Sequence, residues 1–161
     1  MKNLAPTCAF ILALSAGTMA QSEEMTPDRE LAEIIYGSMD ISPTEGADMG
    51  EFIRFGSDIY VSMDHDDNGS VDLKEFTDWD FGFNFIAEDE GQQRAYETAQ
   101  KIVFAVWDHD GDGEITEREY HKSMVTDFRR ADTDDNAFLT RDEFLSGYLI
   151  NIAYRAALTG K

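Results

Sequence analysis

The stretch Asp108-His109-Asp110-Gly111-Asp112-Gly113-Glu114-Ile115-Thr116-Glu117-Arg118-Glu119 decides how the rest of the chain is read. It sets oxygen-bearing side chains at the first, third, fifth and twelfth places of a twelve-residue segment, with Gly113 at the sixth. A hard cation takes six to eight oxygens at about 2.3–2.6 Å. Asp108, Asp110 and Asp112 are short and alternate along the chain, so one tight turn can aim all three at a common point. The reversal that follows needs a positive φ, which glycine adopts without steric cost. The Glu114 carbonyl can then point inward and Thr116 can hold a water. Glu119 has the reach to offer both carboxylate oxygens at once, which closes the cage.

The pattern recurs. Segment 64–75 carries Asp64, Asp66, Asn68, Gly69 and Glu75 at the same places, with Asp72 at the ninth. Segment 132–143 carries Asp132, Asp134, Asn136 and Glu143, but Ala137 stands where the glycine belongs. Alanine at positive φ costs about 1 kcal/mol. Weaker binding or a shifted turn is therefore expected there, with three carboxylates rather than four. The repeat extends outside the loops. An aromatic stands four places before each (Tyr60, Phe104, Phe128), and another directly after each closing glutamate (Phe76, Tyr120, Phe144). The same frame finds a fourth copy at 40–51, between Tyr36 and Phe52. Its ligand chemistry has decayed: Ser42 and Thr44 replace acids, Pro43 fills the fourth place and Glu45 takes the glycine's.

These loops match the formula D-x-[DN]-x-[DN]-G-x5-E, fully at 64–75 and 108–119 and without the glycine at 132–143. The chain thus resembles the EF-hand superfamily, and its compact spacing is similar to that of small exported bacterial EF-hand proteins. The resemblance implies an all-α fold of helix–loop–helix repeats, three intact loops plus one degenerate, with Ca²⁺ as the bound cofactor and no enzyme activity. It also implies the seventh-place carbonyls of Ser70, Glu114 and Phe138 as ligands. Asp72, Thr116 and Thr140 fall at the ninth place, which often acts through water.

Loop starts at 40, 64, 108 and 132 give gaps of 24, 44 and 24 residues. A gap of 24 leaves room for one shared helix, expected over 52–63 and 120–131. The middle gap is expected to hold helices over 73–86 and 92–107, joined by a polar link at 87–91. The first helix is expected over 27–39, with Thr26 as N-cap and Pro27 in the first turn, and the last over 141–158. EF-hand loops pair at their eighth places. Loops at opposite ends of one helix ~20 Å long cannot touch. The expected pairs are therefore Val71 with Ile115, and Ala47 with Leu139.

Of 161 residues, 33 are acidic and 13 basic, for a net charge of −20. Such a surface repels nucleic acid and anionic membrane and attracts cations. Residues 1–20 read as a secretory signal: Lys2 is followed by an apolar run and by small residues ending at Ala20. That leaves 21–161 as one domain, exported to the periplasm or outside the cell, with no membrane attachment after cleavage. Cys8, the only cysteine, lies within the leader.

Three functions compete: a calcium buffer or calcium-stabilised protein, a sensor that grips a protein partner, and an enzyme with calcium-stabilised scaffolding. No HExxH, GxSxG or glycine-rich phosphate loop is present to support the third. The run 76–86 bears on the second. Phe76, Trp79, Phe83 and Ile86 would share one helical face, with Phe81 and Phe85 on a neighbouring one, as a wide buried stripe or an aromatic groove. His65 and His109 follow the first ligand of their loops and read as exposed repeats of one ancestor. Trp107, beside Asp108, is placed to report ion binding by fluorescence.

Overall fold

The computed structural model describes residues 25–39, 41, 46–79 and 81–159. The expected secretory signal (residues 1–20) and part of the fourth loop, Asp40 and residues 42–45, lie outside the described residues. In chain order the elements are α1 (Pro27–Gly37), β1 (Ala47–Asp48), α2 (Met49–Met63), β2 (Ser70–Asp72), α3 (Leu73–Asp78) and α4 (Phe83–Asp89). There follow α5 (Gln93–Trp107), β3 (Glu114–Thr116), α6 (Glu117–Ala131), β4 (Phe138–Leu139), α7 (Arg141–Gly147) and α8 (Leu149–Thr159). The described residues are mostly helical, with two antiparallel two-stranded ribbons among them. Among the described residues no helix is long and apolar enough to cross a membrane.

The shared helices are present as expected: α2 and α6 each run unbroken from one loop into the next and pack on one another. The ribbons pair the expected residues. Val71 lies opposite Ile115, and Ala47 opposite Leu139. The flanking aromatics pair crosswise. The ring before one loop meets the ring after its partner: Tyr60 with Tyr120 (5.1 Å between centroids), Phe104 with Phe76 (5.7 Å), Tyr36 with Phe144 (5.4 Å) and Phe128 with Phe52 (5.8 Å). All eight are buried. One core thus holds both loop pairs.

Two expected helices are broken. The helix expected over 73–86 stops at Asp78, where Trp79 turns extended (φ −88°, ψ 139°), and α4 starts after Gly82 at φ 98°. The break lets Phe81 meet Trp79 edge-on at 4.4 Å and stack on Phe55. Buried Gln100 donates to the freed Thr77 carbonyl at 3.1 Å. The single aromatic face expected over 76–86 therefore does not exist. Phe76 and Phe83 are buried, Trp79, Phe81 and Ile86 are half-buried, and Phe85 is exposed. The polar link is also shorter than expected, because α4 continues through buried Ala87 to Asp89.

The last helix breaks at Tyr148 (φ −70°, ψ 129°). Gly147 sits so close to α6 that a Cβ there would lie 2.3 Å from the Cα of Ala131. Arg130 donates to the Gly147 carbonyl through Nε (3.1 Å) and Nη2 (2.9 Å). Helix α1 ends at Gly37, two residues before its expected end, and Thr26 makes no side-chain cap. Asp28, in its first turn, is buried and pairs with Arg155 on α8 at 2.9 Å.

Candidate metal centre

Three loops of like construction project from this scaffold. In each, the first aspartate accepts from two backbone amides. Asp64 takes those of Asn68 (3.0 Å) and Gly69 (2.9 Å), and Asp108 those of Gly111 (2.7 Å) and Gly113 (3.0 Å). Asp132 takes those of Asn136 (3.1 Å) and Ala137 (3.0 Å). The third-place carboxylates of Asp66, Asp110 and Asp134 accept from the amide two residues on. So do the fifth-place oxygens of Asn68, Asp112 and Asn136. The loop backbone is wound around the side chains expected to be ligands.

The turn chemistry follows. Gly69 and Gly113 adopt φ 88° and 93°, and Ala137 is held at φ 69° in the same role, as expected of an alanine forced through the turn. The fourth places also take positive φ: Asp67 at 56°, Gly111 at 76° and Asp135 at 57°. Aspartate and glycine are the residues that tolerate this conformation, a signal present in the sequence that the ligand pattern overshadowed.

Each closing glutamate spans its loop. Glu75 Oε1 accepts from the amides of His65 (2.9 Å) and Asp66 (3.3 Å), and its Oε2 accepts from the Asp72 amide (3.0 Å). Glu119 holds His109, Asp110 and Thr116 in the same way. Glu143 holds Thr133 and Thr140. The ninth-place side chains reciprocate. Asp72, Thr116 and Thr140 accept from the amides of Glu75, Glu119 and Glu143, so each pair forms the capping box of the outgoing helix. Asp48 and Glu51 form a fourth box at the end of the decayed loop. The S/T/D-x-x-E signature was legible in the sequence, where these ninth places stood only as ligands or water holders.

The resulting clusters are Asp64, Asp66 and Glu75; Asp108, Asp110 and Asp112; and Asp132, Asp134 and Glu143. Within each, ligand oxygens from all three residues lie within 4.8 Å of one another. Glu119 is not part of the second of these clusters, although it bonds its loop backbone as Glu75 and Glu143 do. The donors are oxygens throughout, with no thiolate or imidazole, which suits a hard cation. The seventh-place residues Ser70, Glu114 and Phe138 lie on the ribbons beside their clusters. Hydrogen bonding keeps Glu119 and Glu143 ionised. Burial pushes Glu143 up, but bonds from Thr140 and Thr133 outweigh it and hold the group at about 2. Bonds from Thr116, with those from Asp110 and His109, lower Glu119. His109 turns its imidazole toward buried Ser123 on α6, with Nε2 3.1 Å from Oγ.

Set against known proteins, the chain matches no family model, no curated protein and no solved structure.

Proposed function

We propose that the chain is an exported calcium-binding protein of the EF-hand type, binding Ca²⁺ in loops 64–75, 108–119 and 132–143 and acting as a calcium buffer or a calcium-stabilised protein. Loop 40–51 is a relic that keeps a folding role. The observation that carries this reading is the threefold recurrence of one construction: clustered aspartates, a left-handed sixth residue and a glutamate reaching across the loop. Crosswise aromatic pairing and the two ribbons join these units two by two, as paired EF-hands require. A bidentate closing glutamate favours Ca²⁺ over Mg²⁺, since it supplies the higher coordination number that Mg²⁺ resists. The leader sequence supports export.

In this reading Asp64, Asp66, Asn68 and Glu75 supply side-chain oxygens in one loop, and Asp108, Asp110, Asp112 and Glu119 in the next. Asp132, Asp134, Asn136 and Glu143 do so in the third, with the seventh-place carbonyls completing each set. The eleven ligand carboxylates of the three loops, counting Asp72, repel one another without a cation, so binding contributes directly to stability. The sensor alternative keeps one specific observation, the exposure of Phe85 (68 %) and Val61 (70 %) as apolar contacts for a partner. Burial of all eight paired rings favours the buffering or structural role.

A calorimetric Ca²⁺ titration of the protein is the test. Three sites are expected, with the tightest uptake abolished by Glu75→Gln together with Glu119→Gln. Undiminished uptake by that double variant would overturn the reading.

A further inference from the structure

Two cation clusters lie on either side of the β2–β3 ribbon, and one side chain touches both loops. The Ser70 hydroxyl sits 2.8 Å from Asn68 Oδ1 in its own loop and 2.7 Å from Glu114 Oε2 in the neighbouring loop. Both neighbours are acceptors, and a hydroxyl has one proton. The Asn68 oxygen already accepts from the Ser70 amide at 2.8 Å. Ser70 is buried, so water competes little for that proton. No equivalent can exist in the other loop pair, where Phe138 occupies the corresponding place and faces Asp48.

We propose that the Ser70 hydroxyl is a positioning group that couples cation binding in loop 64–75 to cation binding in loop 108–119. The inference rests on the reading of these loops as calcium sites. Asn68 Oδ1 is the fifth-place donor of its loop. When that oxygen is committed to a cation it becomes a poorer acceptor, and the Ser70 proton goes to Glu114. Glu114 carries the seventh-place carbonyl of the second loop, so fixing its side chain orders a ligand residue there before the second ion arrives. Less ordering then remains to oppose the second binding event, which is positive coupling. Coupling free energy is reciprocal, so filling loop 108–119 first favours loop 64–75 by the same factor.

The test is a Ca²⁺ titration followed by the amide resonances of Gly69 and Gly113, which report the two loops separately. The quantity read is the ratio of each loop's affinity with its neighbour filled to that with its neighbour empty. Ser70→Val and Ser70→Thr both keep the backbone carbonyl and differ in the hydroxyl. We expect Ser70→Val to lower the ratio by about fivefold, at the small end of known couplings, and Ser70→Thr to retain it. Glu114→Ala should lower the ratio on its own and lower it no further in the Ser70→Val background, which also serves if the valine variant folds poorly. An unchanged ratio in Ser70→Val, or additive losses in the double variant, overturns the coupling while leaving the calcium sites standing. Failure of the parent chain to take up Ca²⁺ overturns both.

Discussion

The hydroxyl of Tyr60, on α2, reaches across the ribbon to the carbonyl of Ile115 at 3.0 Å, and lies 2.9 Å from the carbonyl of Gly69 in its own loop. Burial, reinforced by the nearby Asp64 carboxylate, pushes this hydroxyl up to about 12, so it is a donor throughout the physiological range. Tyr36 does the same for the other pair, donating to Leu139 at 2.8 Å. Phe104 and Phe128 stand at the corresponding places of the partner loops and carry no hydroxyl. Tyr60→Phe should therefore cost about 1–2 kcal/mol, the expense of leaving the buried Ile115 carbonyl short of a donor. Urea unfolding reads the loss, and amide exchange should quicken at Val71 and Ile115 while Leu139 is unaffected. Equal quickening in both ribbons would contradict the assignment.

Gly147 offers a second test, because its place is set by contact rather than by conformation. Ala131 lies where a Cβ would fall, and the α6 backbone cannot retreat without moving loop 132–143. Gly147→Ala should destabilise the protein by about 1–3 kcal/mol, the usual range for overpacking. Thermal unfolding measures it. A neutral substitution would mean that α7 can slide on α6 at no cost.

The contrast between these two residues explains what the sequence made legible. Tyr60 belongs to a repeat whose period fixes its place four residues before a loop, so the shared helices and the loop pairing followed from spacing. Gly147 and Gly82 lie outside the repeat. Each ends a helical apolar pattern for a tertiary reason: one meets Ala131, and the other lets Phe81 turn back onto Phe55 and Trp79. Periodicity cannot reveal a partner that the repeat does not place. The Ser70–Glu114 contact was hidden for another reason: spacing sets the backbone register of the ribbon but not which side chains bond across it. The capping boxes are different: their signature is local and complete, but in the three intact loops the same residues also fit the ligand pattern.

Ala137 tests the loop geometry itself. Its φ of 69° lies in a region that penalises a Cβ by about 1 kcal/mol. Ala137→Gly removes that penalty from the folded loop, so loop 132–143 should bind Ca²⁺ a few-fold tighter, about fivefold if the whole amount appears in affinity. Calorimetry should show this gain in the weakest of the sites, with the other two unchanged. A loss of affinity would show that the alanine is favoured where it stands.

Asp127 is 2 % exposed, and burial pushes its carboxyl up to about 6, against the pull of Arg130, the Leu149 amide and the Trp107 indole. Arg130 approaches to 2.8 Å, and the Leu149 amide, at 3.4 Å, opens α8 just beyond the Tyr148 break. An unfolded aspartate titrates near 3.9. The folded protein therefore holds this proton more tightly than the unfolded chain does. The stabilisation from Asp127 is complete below about pH 4 and is lost as the pH rises through 6. Asp127→Asn keeps the size and removes the titration. The stability of the parent relative to this variant should rise by on the order of 2 kcal/mol between pH 7 and pH 4. Taking the difference cancels the opposite trend of Glu143, whose contribution is present above about pH 4 and lost as the pH falls toward 2. Urea unfolding of both proteins across that window decides the matter, and a difference that stays flat would place the Asp127 carboxyl in contact with water.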